Sequence, residues 1–224
     1  NGYNISGNIK NLSDTSLMLA YYFGGKQYSV DTAYSKNGEF VFSGEKNLDG
    51  GMYLIVLPNQ KYFDIIISEQ NISFSSDLND LISNMKFDKS KENTPFYEYL
   101  NFITNKQKEV SPLRTKEPTA SGKEKEKIKD EIRKIDKEVK DYKSNFEKKY
   151  KDIFFTKIIR ATTEPNIPDP DENLSDKEKQ LFQFEYYRDH YWDNIDFSDE
   201  RMLKTPIFFN KMDTYLNKLT VQHP

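Results

Sequence analysis

The chain has 224 residues (26.4 kDa) and no cysteine, which excludes disulfides, thiolate-bound zinc, iron–sulfur clusters and thiol nucleophiles within it. Thirty-three Lys+Arg against 36 Asp+Glu give a net charge of −3 and a pI near 5.6, without the basic excess that a nucleic-acid partner calls for. Leu, Ile, Val and Phe total 55, enough for a packed core, and no run approaches the ~18 apolar residues of a membrane span.

Eight of the nine glycines fall in the first 51 residues, and charged side chains number 16 in residues 1–88 against 53 in residues 89–224. This shift predicts an α+β chain in two domains, an all-β sandwich over 1–88 and an all-α helical domain over 89–224. Tyr3, Ile5 and Ile9 alternate with polar residues, and Leu17, Leu19, Tyr21 and Phe23 do the same up to Gly24-Gly25, a pair suited to a tight hairpin. Tyr28, Val30 and Thr32 form the next alternating run, and Asn37-Gly38 is the strongest hairpin signal, leading into Phe40 and Phe42. Asp49-Gly50-Gly51 turns the chain again. Met52 to Leu57 and Tyr62 to Ile67, joined by Pro58-Asn59-Gln60, are near-continuous apolar runs, predicting central strands covered on both faces. Ile72 and Phe74 complete a set of about seven or eight strands, as in a sandwich or partly closed barrel.

Past residue 89 the apolar period lengthens to about 3.6. Thr94-Pro95 predicts a capped helix start, with Phe96, Tyr99, Leu100 and Ile103 on one face. Residues 110–122, with Pro112, Pro118 and Gly122, predict an exposed, mobile connection. Ile128, Ile132, Ile135, Val139, Tyr142 and Phe146 then draw a narrow seam on a long charged helix, fitting a helical hairpin within the chain or an intermolecular coiled coil. The helix is predicted to run on through Phe154, Phe155, Ile158 and Ile159 until Pro165 stops it. After a proline-rich loop, Ser175 and Glu178 read as a capping box opening a helix from about 176 to 192. Thr205-Pro206 marks one more helix start, ahead of Ile207, Phe208, Met212, Tyr215, Leu216 and Leu219. Apolar helical positions continue to the end, so the helical domain is expected to extend past this stretch. The opening at Asn1 likewise fits a mature or trimmed piece.

Few residues suggest chemistry. Asp169, Asp171, Asn173 and Ser175 alternate like calcium ligands, but Leu174 stands where the loop needs glycine and Gln180 where it needs the bidentate glutamate. Glu185, Asp189 and His190 share a helical neighbourhood without a second cluster to complete a metal site. The only histidines are His190 and His223, and no Gly-x-Ser-x-Gly elbow presents a serine. Residues 123–151 mix 12 basic with 8 acidic side chains, the dress of a solvated helix laced with ion pairs. No catalytic residue, cofactor or metal is therefore expected. The segment FQFEYYRDHYW, residues 182–192, fits the buried face of a helix, with Phe184, Tyr187 and Tyr191 in one stripe. Its alternative role is to offer Tyr187, Tyr191 and Trp192 as a ring surface for a glycan, peptide or client protein, with core packing the preferred reading.

The stretch GYNISGNIKNLSDTSLMLAYYFGGKQYSVDTA, with NGEFVFSG and GGMYLIVLPNQKYFDIII, resembles the β-rich lead module of bacteroidete cell-envelope thioredoxin-like proteins of the thiol:disulfide interchange or AhpC/TSA type. SKENTPFYEYLNFI, FFTKIIRATTEPNIPD and YYRDHYWDNIDFSDERMLKTPIFFNKMDTYLNKL are similar to the helical module that follows it there. The resemblance implies a downstream thioredoxin-like domain bearing Cys-x-x-Cys in the same polypeptide, and a place in the periplasm or on the outer membrane with a lipid anchor ahead of Asn1. It also implies a non-catalytic role for this cysteine-free part, positioning or selecting envelope clients for the dithiol.

Overall fold

Period-two alternation sets the first part of the chain into strands, and the computed structural model, which describes residues 2–220, arranges them as a sandwich of two four-stranded sheets. The strands are β1 (Tyr3–Lys10), β2 (Thr15–Phe23), β3 (Lys26–Ser35), β4 (Glu39–Gly44), β5 (Gly51–Val56), β6 (Tyr62–Ile67), β7 (Asn71–Asp77) and the two-residue β8 (Lys86–Phe87). One sheet runs β4-β1-β7-β8, with β1 and β7 parallel, and the other runs β3-β2-β5-β6, antiparallel throughout. Ile5, Ile9, Phe40, Phe42, Ile72 and Phe74 face Leu17, Leu19, Tyr53, Ile55, Phe63 and Ile65 across the interior, all buried. Gly7 sits where a Cβ would strike the rings of Phe40 and Phe74, whose edge-to-face pair lies at 5.9 Å.

Both expected hairpin turns form. Gly24 and Gly25 have φ of 55° and 74°, and Asn37 and Gly38 have φ of 53° and 84°, the left-handed pairs that a two-residue turn requires. The second turn does more than the sequence suggests, because β3 and β4 belong to different sheets and the Lys36–Glu39 bridge folds one corner of the sandwich. The sequence expectation for β6 needs correction. It is an edge strand, and its apolar run is explained by a second cover, since the helical part lies over the outer face of its sheet. On that edge Asn93 replaces a neighbouring strand: its Oδ1 accepts from the Ile66 N–H at 2.7 Å and its Nδ2 donates to the Ile66 carbonyl at 2.8 Å. The Tyr97 hydroxyl donates to the Asp64 carbonyl two residues earlier.

Five α-helices follow among the described residues: α1 (Asn93–Lys116), α2 (Gly122–Lys149), α3 (Phe154–Ala161), α4 (Asp176–Asp189) and α5 (Pro206–Thr214). The seam of α2 packs in a hairpin against α1, with Phe102 and Tyr142 stacked at 3.7 Å and Lys106 held between Glu109 and Glu138. Four predicted details change. First, Thr94 lies inside α1 rather than capping it, and the Ser90 hydroxyl accepts from the Asn93 N–H instead. Second, the predicted loop over 110–122 is largely helix, because α1 continues through Pro112 to Lys116 where Arg114 pairs with Asp136 of α2. Third, α2 and α3 are separate helices. The break at 150–153 is stabilised by buried Glu92, whose carboxylate accepts from the N–H groups of Phe154 and Phe155 at 2.7 and 3.2 Å. Fourth, α4 opens on the expected Ser175–Glu178 capping box but ends at Asp189 and buries none of its own residues.

One core runs through both parts. Rings link from Phe74 to Phe87, Tyr97, Phe96 and Phe155 at centroid distances of 5.5, 5.3, 5.1 and 4.7 Å. The chain then returns to the sandwich, where a 3-10 turn, Glu200–Lys204, and α5 pack on β2 and β5. No helix among the described residues is long and apolar enough to cross a membrane.

Candidate functional site

The aromatic segment is the natural starting point, and its three candidate residues differ in exposure. Tyr187 is half-buried, and its hydroxyl donates to Glu164 at 2.7 Å. Tyr191 is 4% exposed, stacked on Tyr215 at 5.7 Å, with the Lys211 ammonium 3.9 Å from its centroid. Trp192 is half-buried among Tyr191, Phe197 and Phe208. Tyr191 and Trp192 clamp the end of α4 to α5, and Tyr187 ties α4 to Glu164. Burial pushes the Lys211 amine below its ordinary range, opposed by the Glu164 charge, so this cation belongs to the packing of the clamp. The predicted stripe is split: Phe184 on α4 is exposed, and Tyr191, past the end of α4, is buried against Trp192 and Tyr215.

The remaining sequence candidates stay apart. Among the described residues no group of three or more Asp, Glu or His is placed to hold a metal ion. His190 pairs through Nδ1 with Asp193 at 2.6 Å, while Asp171 accepts from the backbone and side chain of Asn173 in a turn that leads to the Ser175 cap. His223 lies outside the described residues.

Charged groups instead converge where the helical part meets the sandwich. Lys157 of α3 bridges Asp196 and Asp199, each at 2.7 Å. Arg201 grips Asp199 with Nε and Nη2 at 2.8 and 2.6 Å, donates to Ser68 after β6, and lies 4.4 Å from the Phe154 ring. Arg201's hydrogen bonds hold the Asp199 carboxyl far below the usual carboxylate range, and Lys157 with Ser198 brings Asp196 down to about 2. Lys204 pairs with Asp49 at 2.6 Å and covers the Tyr21 ring. These are fastening contacts: they tie α3, and the loops at Asp49 and Ser68, to the 3-10 turn and the segment that leads into it.

A cleft of about 350 Å³ opens beside them, between the β2–β3 hairpin and the start of α5. Tyr22 and Gln27 line one side, Pro206, Phe209 and Asn210 the other, with Lys26 at the rim. Behind it the Tyr22 hydroxyl donates to Asp64 at 2.8 Å; burial raises the Asp64 carboxyl, and this hydrogen bond opposes the shift. Lys26, Gln27 and Asn210 have exposed side chains with no hydrogen bond or ion pair to other described residues. Sequence patterning missed this place because the hairpin and α5 are far apart in the chain.

Residues 3–96 match a domain of unknown function, DUF4369, and residues 120–224 match a second domain of unknown function, DUF5106. No curated protein and no solved structure matches the chain.

Proposed function

We propose that this chain is a non-catalytic, extracytoplasmic accessory region that positions, or selects clients for, a thioredoxin-like thiol:disulfide oxidoreductase domain of the same polypeptide. The observation that supports the reading most is the shared core. The ring chain from Phe74 to Phe155 and the Arg201–Asp199–Lys157 network join the β part and the helical part into one body. A positioning element must be rigid to orient what it carries, and two loosely tethered modules would not be. The family resemblance implies the dithiol partner and the envelope setting. In that partner one thiolate of Cys-x-x-Cys attacks the client disulfide and expels a client thiolate, and the second cysteine resolves the mixed disulfide, so the client gains two electrons.

The test uses the complete polypeptide. Beyond residue 224 it should carry a Cys-x-x-Cys domain, and deleting residues 1–224 should leave reduction of a small-molecule disulfide unchanged. Reduction of a disulfide-containing envelope protein should slow by about tenfold as the effective concentration conferred by the accessory region is lost. A polypeptide without the dithiol, or equal slowing of both substrates, would overturn the reading.

A further inference from the structure

Sheet edges are templates for further strands, and folded proteins usually close them. The two sheets have four edge strands, β3, β4, β6 and β8. Asn93 and Tyr97 close β6, and β8 is only two residues long. β4 is tied to β3 by the Lys36–Glu39 bridge and by the Asp31 carboxylate, which accepts from the Ser43 N–H at 3.2 Å and from the Tyr3 hydroxyl at 2.8 Å. That bond sits at the bulge of β3, where the register with β2 shifts between Leu19 and Ala20. The first half of β3, residues 26–30, is exposed throughout and has no strand on its far side.

The direction of its free groups follows from the turn. Phe23 and Lys26 flank the two-residue Gly24-Gly25 turn and form its closing hydrogen-bonded pair. Pairing then alternates, so Gln27 and Ser29, opposite Tyr22 and Ala20, direct their N–H and C=O groups away from β2. Gln27 also lines the cleft with Phe209 and Asn210, while Tyr28 and Val30 offer exposed apolar surface along the strand.

We infer that the Lys26–Val30 edge, with the adjoining cleft, binds an extended segment of an incompletely folded client polypeptide by strand addition. Only another backbone supplies N–H and C=O groups at the spacing that Gln27 and Ser29 present. The cleft between Gln27 and Phe209 receives a side chain from one face of the added strand, and Tyr28 and Val30 pack against those near it. Two outward residues before the bulge allow few hydrogen bonds, giving the weak, sequence-tolerant hold that suits a client in transit. This inference rests on the accessory reading and names the form in which clients are selected.

The test titrates the 224-residue chain with reduced, carboxymethylated α-lactalbumin, a permanently unfolded probe, and with the native protein as control. Hydrogen exchange should show protection of residues 26–30 with the unfolded probe alone. Ser29→Pro removes an N–H that β2 does not use and places a ring on the edge, and Val30→Lys adds an edge charge. Ser29→Pro should weaken binding about tenfold, as loss of one or two edge hydrogen bonds implies, and Val30→Lys should weaken it by setting a charge against the added strand, both with an unchanged melting curve. If the melt shows that Ser29→Pro disturbs the strand, Val30→Lys decides. Binding unaffected by the variants, protection elsewhere only, or a dimer in the absence of probe that Ser29→Pro abolishes would overturn the inference, the last by assigning the edge to a second copy. A failed titration leaves the positioning role standing, whereas absence of a downstream dithiol domain overturns that role and leaves the titration untouched.

Discussion

Replacing Asn93 by alanine tests how the edge of β6 is closed. The side chain is fully buried and satisfies both backbone groups of Ile66, at 2.7 and 2.8 Å. Alanine leaves a buried N–H and a buried C=O unpaired, each costing about 1–3 kcal/mol. Partial entry of water and relaxation of α1 reduce that sum, and a loss of about 3 kcal/mol is expected. For a chain of this length that corresponds to a fall of about 6–12 °C in Tm. Urea denaturation followed by the fluorescence of Trp192, the single tryptophan, measures the loss, and hydrogen exchange locates it at Ile66. Asn93→Asp adds a second reading. An ionised carboxylate still accepts from the Ile66 N–H but repels its carbonyl, while the protonated acid can donate to it. The deficit of this variant should therefore shrink on acidification. A loss below about 0.5 kcal/mol for Asn93→Ala, with exchange at Ile66 unchanged, would refute the clamp.

Three further outcomes are expected. Asp196 and Asp199 are both lowered in the folded state, so their contribution is complete above the unfolded carboxyl value of about 4 and is lost as pH falls toward the folded values, about 2 for Asp196. Asp199→Asn should abolish most of that acid sensitivity in a pH series of melts. Asp64 is shifted the other way, so its protonation on acidification favours folding and its charge opposes folding at neutral pH. Asp64→Asn keeps an acceptor for Tyr22 and should leave neutral-pH stability equal or higher, read by urea midpoints; a clear loss would contradict the sign. Pro112→Ala should stabilise by about 1–3 kcal/mol, because Pro112 stands inside α1; in an exposed loop the same change would be near neutral or slightly destabilising.

The strands and their turns were legible because each signal is local: alternation, Gly24-Gly25, Asn37-Gly38 and the Ser175–Glu178 box act within a few residues. What sequence patterning missed depends on partners distant in the chain. The apolar run of β6 shows that both faces are covered, yet a sheet neighbour and a helical layer leave the same trace. Only Asn93, 27 residues on, shows the strand to be an edge. The α2–α3 break is invisible in its own residues, since the capping carboxylate comes from Glu92, 62 residues earlier. Pro112 is a helix breaker by propensity, but the α1–α2 hairpin holds it in place through contacts on either side, Lys106–Glu138 and Arg114–Asp136. Tyr187, Tyr191 and Trp192 stood out as a cluster, while their exposure is set by Glu164, Lys211 and Tyr215.

The glycines join these two kinds of information. Gly25 and Gly51 read as turn residues, and their φ of 74° and 145° accounts for that role. Their missing side chains serve a second purpose, because a Cβ would meet Phe209 at Gly25 and Lys204 at Gly51, and another at Gly50 would meet Arg201. The turns of the sandwich are thus also landing sites for the segment that returns from the helical part. That segment brings Phe209 and Asn210 to the start of β3, where the same hairpin leaves its backbone edge uncovered. An open edge is a liability that the fold closes at β4 and β6 with dedicated polar side chains. At β3 the closing device, Asp31, is set beyond the bulge, so residues 26–30 keep both a free edge and an adjoining cleft, the combination that strand addition requires.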